Sequence, residues 1–209
     1  MKNVIIVGGN SGARLIYELC EINNYNVIGF ASNFTQKWYG ITPNIIGDIE
    51  KPEILDLIKK NDYFVATGDN KMRETITNFI IKKTNKNPIN IIHPSSIISK
   101  YAKIGAGNLI MSNVVINNNT SIGDGTIINT SSVIEHDNII DDYCQISPNT
   151  TLCGYINIGK FCFIGANSVI IPHISIKKNS IIGAGSVIIK NVEPNVLVVG
   201  NPGKIKKII

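Results

Sequence analysis

Residues 164–187 read IGANSV, IIPHIS, IKKNSI, IGAGSV when cut every six positions, and each block opens on isoleucine. Followed in both directions, the same step falls on Ile98, Ile104, Ile110, Ile116, Ile122, Ile128, Ile134, Ile140 and Ile146. It then falls on Leu152, Ile158, Ile164, Ile170, Ile176, Ile182 and Ile188. Chance does not put fifteen isoleucines and one leucine at sixteen consecutive positions. A period of six is neither the 3.6 of an amphipathic helix nor the 2 of a half-buried strand. It fits a solenoid whose six-residue units form the flat sides of a triangular coil. Each aliphatic residue then points inward and stacks on its equivalent eighteen positions later.

Four residues after the inward position the side chain is small or β-branched, at Thr120, Thr126, Ser132, Thr150, Ser168, Ser180 and Ser186. Gly and Asn serve the turns, as in Ile122-Gly-Asp-Gly, Ile164-Gly-Ala-Asn and Ile182-Gly-Ala-Gly, because both tolerate positive φ. Five coils follow (98–115, 116–133, 134–151, 152–169 and 170–187), with no insertion to extrude a loop.

Ahead of residue 95 the period is different. VIIV (4–7) reads as a buried strand followed by the Gly-containing turn GGNSG, and Ala13–Asn23 carries apolar residues at helical spacing. VIGFA (27–31) and YFVATG (63–68) are further strands, PEILDLIKK (52–60) is a helix with Pro at its start, and INIIHP (89–94) closes the series. Asp69 is placed to cap the helix KMRETITNFIIKKT. This alternation predicts a parallel, doubly wound sheet of three to four strands. The expected organisation is an α/β Rossmann-like domain over 1–94, then a β-helix of about five coils with a short tail over 95–209.

The bulk numbers narrow the function classes. With 44% hydrophobic and 17% charged residues in 209, the chain is a folded one. A net charge of +5 is spread over dispersed lysines without Arg-rich, aromatic-interleaved stretches, so nucleic acid is not an expected partner. The KIKKII tail (204–209) reads as solvated in preference to touching an anionic membrane surface. MKNVIIV stops at Gly8, too short for the apolar part of a signal peptide, and no run of eighteen apolar residues occurs. The cysteines, Cys20, Cys144, Cys153 and Cys162, form no CxxC pair, which points to free thiols and a cytoplasmic setting.

One histidine stands out. In NTSSVIEHD (129–137) the hexad register puts Ile134 inside and His136 on the outer turn, between Glu135 and Asp137. An imidazole titrates near pH 6.5, so such a ring suits general-base work at neutral pH, with an acid beside it to fix its tautomer. Together with FVATGDNKMR (64–73), IHPSS (92–96) and VVGNPGK (198–204), this stretch resembles the sugar acyltransferases with a left-handed parallel β-helix. The resembling subgroup includes the bacillosamine-pathway UDP-4-amino-sugar N-acetyltransferases, the perosamine and viosamine acetyltransferases, and sialic-acid O-acetyltransferase-like proteins.

The resemblance implies acetyl-CoA as acyl donor, a nucleotide-linked amino sugar as acceptor (UDP favoured, dTDP or GDP possible) and a homotrimer with CoA between subunits. It places the base on His136 and its acidic helper on Asp137, where the nearest relatives carry Glu. Gln145 falls where they have a second histidine against the acetyl donor. Gly154 stands at an oxyanion-donating amide, and Ala166 and Ala184 line the groove for the rest of CoA. Lys204 is the candidate contact to a CoA phosphate.

In the first domain the resemblance puts the sugar nucleotide on Gly8, Asn10, Ser11 and Gly12, on Ser32 and Asn33, and on Gly68. There Ser11, Gly12 and Ala13 replace the usual Gly-His-Gly, and Ser32 and Asn33 replace an acidic pair. Glu135 has no assigned role. Cys144 and Cys162 should pack in the solenoid wall, and His93 should be structural. No metal is expected, because His173, two coils from His136, has no ligand cluster around it. Two rival readings stay open at this point: a sugar O-acetyltransferase of the sialic-acid type, and a non-catalytic trimeric scaffold.

Overall fold

The computed structural model describes residues 1–9, 11–33 and 44–209, which form two compact units, Met1–Ile92 and His93–Ile209. In the first unit the order is β1 (Lys2–Val7), α1 (Ser11–Ile22), β2 (Tyr25–Ala31), β3 (Ile45–Gly47), α2 (Pro52–Lys60), β4 (Asp62–Val65), α3 (Asn70–Thr84) and β5 (Ile91–Ile92). The sheet is parallel in the order β3-β2-β1-β4. VIIV can be apolar without alternation because β1 is central and both of its faces are covered; Val4, Ile5, Ile6 and Val7 are all buried. Ile5 and Val7 pack with Ile54 and Ile58 of α2 and Ile80 of α3. Burying each such side chain contributes about 1.5–3 kcal/mol. Asp69 caps α3 as anticipated, its carboxylate accepting the Met72 N–H at 2.8 Å.

Two details depart from the sequence reading. The fourth strand of the sheet is β3, a three-residue stretch with no alternation to reveal it, and INIIHP is not part of that sheet. The Ile89 N–H reaches Tyr63 O at 3.0 Å, after which the segment leaves the sheet. In addition, β4 stops at Val65 instead of running to Gly68. The Arg73 guanidinium takes the carbonyls of Thr67 and Gly68 (2.9 and 3.1 Å), so neither is available to a neighbouring strand.

The second unit is the hexad solenoid, a left-handed β-helix with three faces. Its first face stacks Ile97–Ile98, Val115–Ile116, Val133–Ile134, Thr151–Leu152, Val169–Ile170 and Val187–Ile188. The second stacks Lys103–Ile104, Ser121–Ile122, Ile139–Ile140, Asn157–Ile158 and Ser175–Ile176. The third runs through Leu109–Ile110, Ile127–Ile128, Gln145–Ile146, Phe163–Ile164 and Ile181–Ile182, then Val196–Val199. Partners are eighteen residues apart in unbroken register, as in Ile128↔Ile146 and Ile146↔Ile164. The inward residues from Ile110 to Ile188 are at most 2% exposed, whereas Ile98 and Ile104, in the first coil, are only half-buried.

The small residues four places on close the wall by hydrogen bonding. The hydroxyls of Thr120, Ser132, Thr150 and Ser168 donate to carbonyls fifteen residues ahead, at 2.9, 3.0, 3.1 and 3.1 Å. Cys144 and Cys162 occupy the same position, and their thiols donate to Gly159 O and Lys177 O at 3.2 and 3.1 Å. Small size lets the chain bend there, and the hydroxyl or thiol ties the bend to a carbonyl of the next coil.

The turns meet the sequence expectation at one of their two recurring positions. The left-handed residue is the third after the inward one, for example Asn119, Gly125, Asn167 and Gly185 (φ 58°, 60°, 58° and 69°). The glycine directly after the inward residue has another reason. A Cβ on Gly123 would stand 2.3 Å from Asp142 Oδ1 and 2.8 Å from Asp142 N, and one on Gly165 2.5 Å from Ala184 N. Close approach of the next coil, not φ, demands glycine there. The KIKKII tail is also not loose: Lys204–Ile208 is an exposed strand, antiparallel to Val196–Val199.

Candidate active site

The corner between the first and second faces carries His136. Its Nδ1 lies 2.7 Å from Asp137 Oδ2 and its side chain is 45% exposed. With the Nδ1–H donated to the carboxylate, Nε2 keeps its lone pair and is the atom that can accept a proton. Asp137 also receives the Asn119 side-chain amide on Oδ1. The Asn119 amide and then His136 hold the Asp137 carboxyl below the usual carboxylate range, against a smaller opposing push from burial. The carboxylate is therefore charged throughout the range in which an imidazole titrates.

Gly154 lies one coil on, directly over His136. A Cβ there would come within 2.8 Å of the ring's Cε1 and 3.0 Å of Nε2, so only glycine leaves room for the imidazole. Its N–H donates to no acceptor among the described residues. A free backbone donor beside Nε2 suits a developing oxyanion. Glu135 is more than a solvated bystander, since its carboxylate accepts the Asn117 amide at 2.9 Å.

The other three positions expected around the acyl donor lie elsewhere on the prism. Gln145 is on the third face between Ile127 and Phe163. Ala166 and Ala184 sit at the corner where the third face meets the first, joined by a Gly185 N–H to Ala166 O bond of 2.8 Å. Ala184 is exposed, and a Cβ added to Gly185 would meet nothing within 4 Å, so this corner is an open ledge around Ala184 and Gly185, with the exposed Asn167 one coil before. Within one chain, His136, Asp137 and Gly154 come together, while Gln145, Ala166 and Ala184 form a second group away from them.

In the first unit the expected sugar-nucleotide positions gather at one sheet edge. Val7 pairs with Ala31 and with Val65, so β1, β2 and β4 end level and the turns after them lie side by side. Gly8 adopts φ 115°, donates its N–H to Ala31 O at 2.9 Å, and leaves no room for a side chain against Ala66 O. Ser11 and Gly12 open α1, whose positive N-terminal end faces this edge. Ser32 donates its N–H to Gly47 O at 2.7 Å, Asn33 is exposed, and Gly68 has open space above it. Asn10 lies outside the described residues. Arg73 was not picked out from the sequence. It is 1% exposed and ties the Gly68 turn through Thr67 O and Gly68 O. Its nearness to Gly68 in FVATGDNKMR was the available signal.

The remaining candidates are structural. Burial pushes the Cys162 thiol up to about 12, which removes it as a nucleophile. His93 Nδ1 accepts the Ser95 N–H at 3.0 Å. His173 stacks on Tyr155, two coils above Asp137, one position off the column of His136. Among the described residues no group of three or more His, Cys, Asp or Glu could hold a metal ion, and no helix is long and apolar enough to cross a membrane.

Comparison with known proteins decides the family. Residues 3–80 match the PglD N-terminal domain, and residues 101–136 and 155–190 match the bacterial transferase hexapeptide (six repeats). PerB from Caulobacter crescentus, crystallised with CoA and GDP-perosamine, is 30% identical across 99% of this chain and 98% of its own, with a TM-score of 0.89. The chain belongs to the hexapeptide-repeat acyltransferases that carry a PglD N-terminal domain. A second similar structure is the acetyltransferase domain of PglB from Neisseria gonorrhoeae, solved with acetyl coenzyme A (28% identity, 98% of both chains, TM-score 0.88). A further relative is UDP-N-acetylbacillosamine N-acetyltransferase of Bacillus subtilis, 34% identical over 123 residues. That stretch covers 53% of this chain and about half (52%) of the relative's length.

Proposed function

We propose that this acyltransferase moves the acetyl group of acetyl-CoA onto the 4-amino group of a nucleotide-linked 4-amino-4,6-dideoxy sugar, with His136 as general base. The observation that carries this reading is the 2.7 Å His136–Asp137 pair on an open corner, with the Gly154 backbone against the ring. The amine nitrogen attacks the thioester carbonyl carbon while Nε2 of His136 takes the nitrogen's proton. Asp137 stabilises the imidazolium so formed, and the Gly154 N–H donates to the oxyanion. The C–S bond then breaks, the proton passes from His136 to the departing sulfur, and amide and thiol leave. No covalent enzyme intermediate is needed, in keeping with the buried state of Cys144 and Cys162.

The ledge of Ala166, Ala184 and Gly185 fits a long thioester chain, because its residues are small and there is open space above Gly185. Since this ledge and Gln145 lie apart from His136 within one chain, the complete site uses two copies in a homotrimer: His136, Asp137 and Gly154 from one, Gln145, Ala166 and Ala184 from its neighbour. Five of the six outward residues on the intervening first face are aliphatic (Ile97, Val115, Val133, Val169 and Val187), a stripe suited to contact between copies. The level strand ends of the first unit are the proposed nucleotide-sugar site. With Ser32 and Asn33 at the end of β2, recognition there proceeds without a carboxylate, and UDP is the first nucleotide to try.

The test is thiol release from acetyl-CoA in the presence of UDP-, GDP- and dTDP-4-amino-4,6-dideoxyhexoses. Turnover with one of them is expected. Turnover only with a hydroxyl acceptor would replace N- by O-acetylation, and none with any acceptor would leave a scaffold.

A further inference from the structure

Among the described residues Arg73 is the one buried charged side chain, 1% exposed in the first turn of α3. A guanidinium taken out of water is tolerated where its donors are engaged. Here Nη1 donates to the carbonyls of Thr67 and Gly68 at 2.9 and 3.1 Å, and Nη2 donates to Asn70 Oδ1 at 2.7 Å. Two successive peptide groups of the turn after β4 are thus held by their oxygens.

A trans peptide is planar, with its N–H opposite its C=O. Both peptides of this turn are trans. With Thr67 O turned in to Arg73, the Gly68 N–H points the other way, and with Gly68 O turned in, so does the Asp69 N–H. Neither N–H donates to an acceptor among the described residues, and Gly68 and Asp69 are both exposed. The Asp69 carboxylate is turned to α3, where it accepts the Met72 N–H.

Gly68 supplies an independent sign. It lies outside the positive-φ region, and a Cβ on it would meet nothing within 4 Å. Gly8, on the adjoining turn, is different: it needs glycine for its φ of 115° and for its approach to Ala66 O. Neither backbone conformation nor packing within the described chain demands glycine at Gly68. A missing side chain in open space leaves room for a ligand to come up to the backbone.

We propose that Arg73 is a positioning residue for the nucleotide-sugar site: by drawing two carbonyls inward it aims the Gly68 and Asp69 N–H groups outward, as a fixed pair of donors for an oxygen of the nucleotide, phosphoryl or base keto. The proposal rests on reading the level strand ends as that site. Arg73 itself touches no ligand. Donors fixed in advance spare the ligand the cost of ordering the turn on binding.

Arg73→Lys keeps the charge and loses the planar fork, whereas Gly68→Ala leaves Arg73 alone and puts a methyl into the open space. Calorimetric titration of the full chain with UDP, GDP and dTDP identifies the diphosphate that the wild type holds. Its Kd should rise roughly threefold to tenfold in Arg73→Lys, the factor one net hydrogen bond supplies. The acceptor KM should rise by the same factor, with kcat and the KM for acetyl-CoA unchanged. Gly68→Ala should weaken binding as well, at an unchanged melting temperature. If Arg73 only stiffens the turn, Arg73→Lys lowers the melting temperature and leaves the Kd of the folded protein where it was; that result overturns the proposal. A wild-type Kd in Gly68→Ala overturns it too. Inorganic pyrophosphate tells the two oxygens apart: a loss it shares puts a phosphoryl oxygen on the donor pair, and a loss confined to the nucleotide puts a keto oxygen there. If the wild type binds none of the three diphosphates, the strand-end reading falls and the proposal with it, whereas unmoved variants beside a binding wild type sink the proposal alone.

Discussion

At the scale of single residues, the proposed chemistry rests on one imidazole, His136, and on the groups packed around it. His136→Ala should lower acetyl transfer by about 10²–10⁴-fold, the usual share of a positioned base, with the circular-dichroism melt unchanged because the ring is half-exposed. Gly154→Ala tests the same ring from the other side. The new Cβ would fall 2.8 Å from His136 Cε1, so the imidazole must move, and a displacement near 1 Å costs roughly a hundredfold in kcat. A wild-type rate in that variant would show that the ring tolerates the shift.

Asp137 sets a pH limit of its own. Its folded-state value is depressed, so the stabilisation it provides is fully present above the unfolded value near 3.9 and is lost only as pH falls through the lower folded value. Rate profiles above pH 5 should therefore show no limb from this carboxylate. A limb that appears there in wild type and vanishes in Asp137→Asn would contradict its depression.

Among the elements, the hexad turns a linear pattern into a wall, and its two recurring positions do separate jobs. Ile146→Ala opens a cavity in a stack that is fully buried and should cost about 2–5 kcal/mol of stability by denaturant unfolding. Thr150→Val keeps the volume but removes the hydroxyl bond to Gly165 O, and should cost about 1 kcal/mol. Equal losses in the two would mean that the wall and the core do not play different parts.

These elements also show what could be read in advance. The inward isoleucines and the helical spacing of α1 and α2 were legible because burial writes a period into the chain. β3 was not, since three residues at a sheet edge carry no period. Positive φ accounts for Gly125, Asn167 and Gly185, but not for the glycines directly after the inward residues, whose cause is the passage of the next coil, a constraint set eighteen residues away. Gly154 over His136 follows from adding eighteen to 136, but the Asp137–Tyr155–His173 column was overlooked. Its residues differ in type, and only the shared left-handed turn reveals them as equivalents.

For the whole molecule, the question is where the two halves of the proposed donor site meet. Within a chain they occupy different corners of one rigid prism, held in register by every coil, so no local movement can join them. If neighbouring copies supply the halves, two inactive variants can repair one another. His136→Ala destroys the base and leaves the ledge, whereas Ala184→Trp blocks the ledge and leaves the base. Each homotrimer should be inactive. Every mixed trimer has one place where an intact His136 corner faces an intact ledge. Random 1:1 assembly after joint refolding should thus recover roughly a quarter of wild-type activity. Sites contained within one chain would recover none, because each chain would carry its own defect. Measuring acetyl transfer in the mixture, with sedimentation confirming that both variants remain trimers, therefore separates a shared site from a private one.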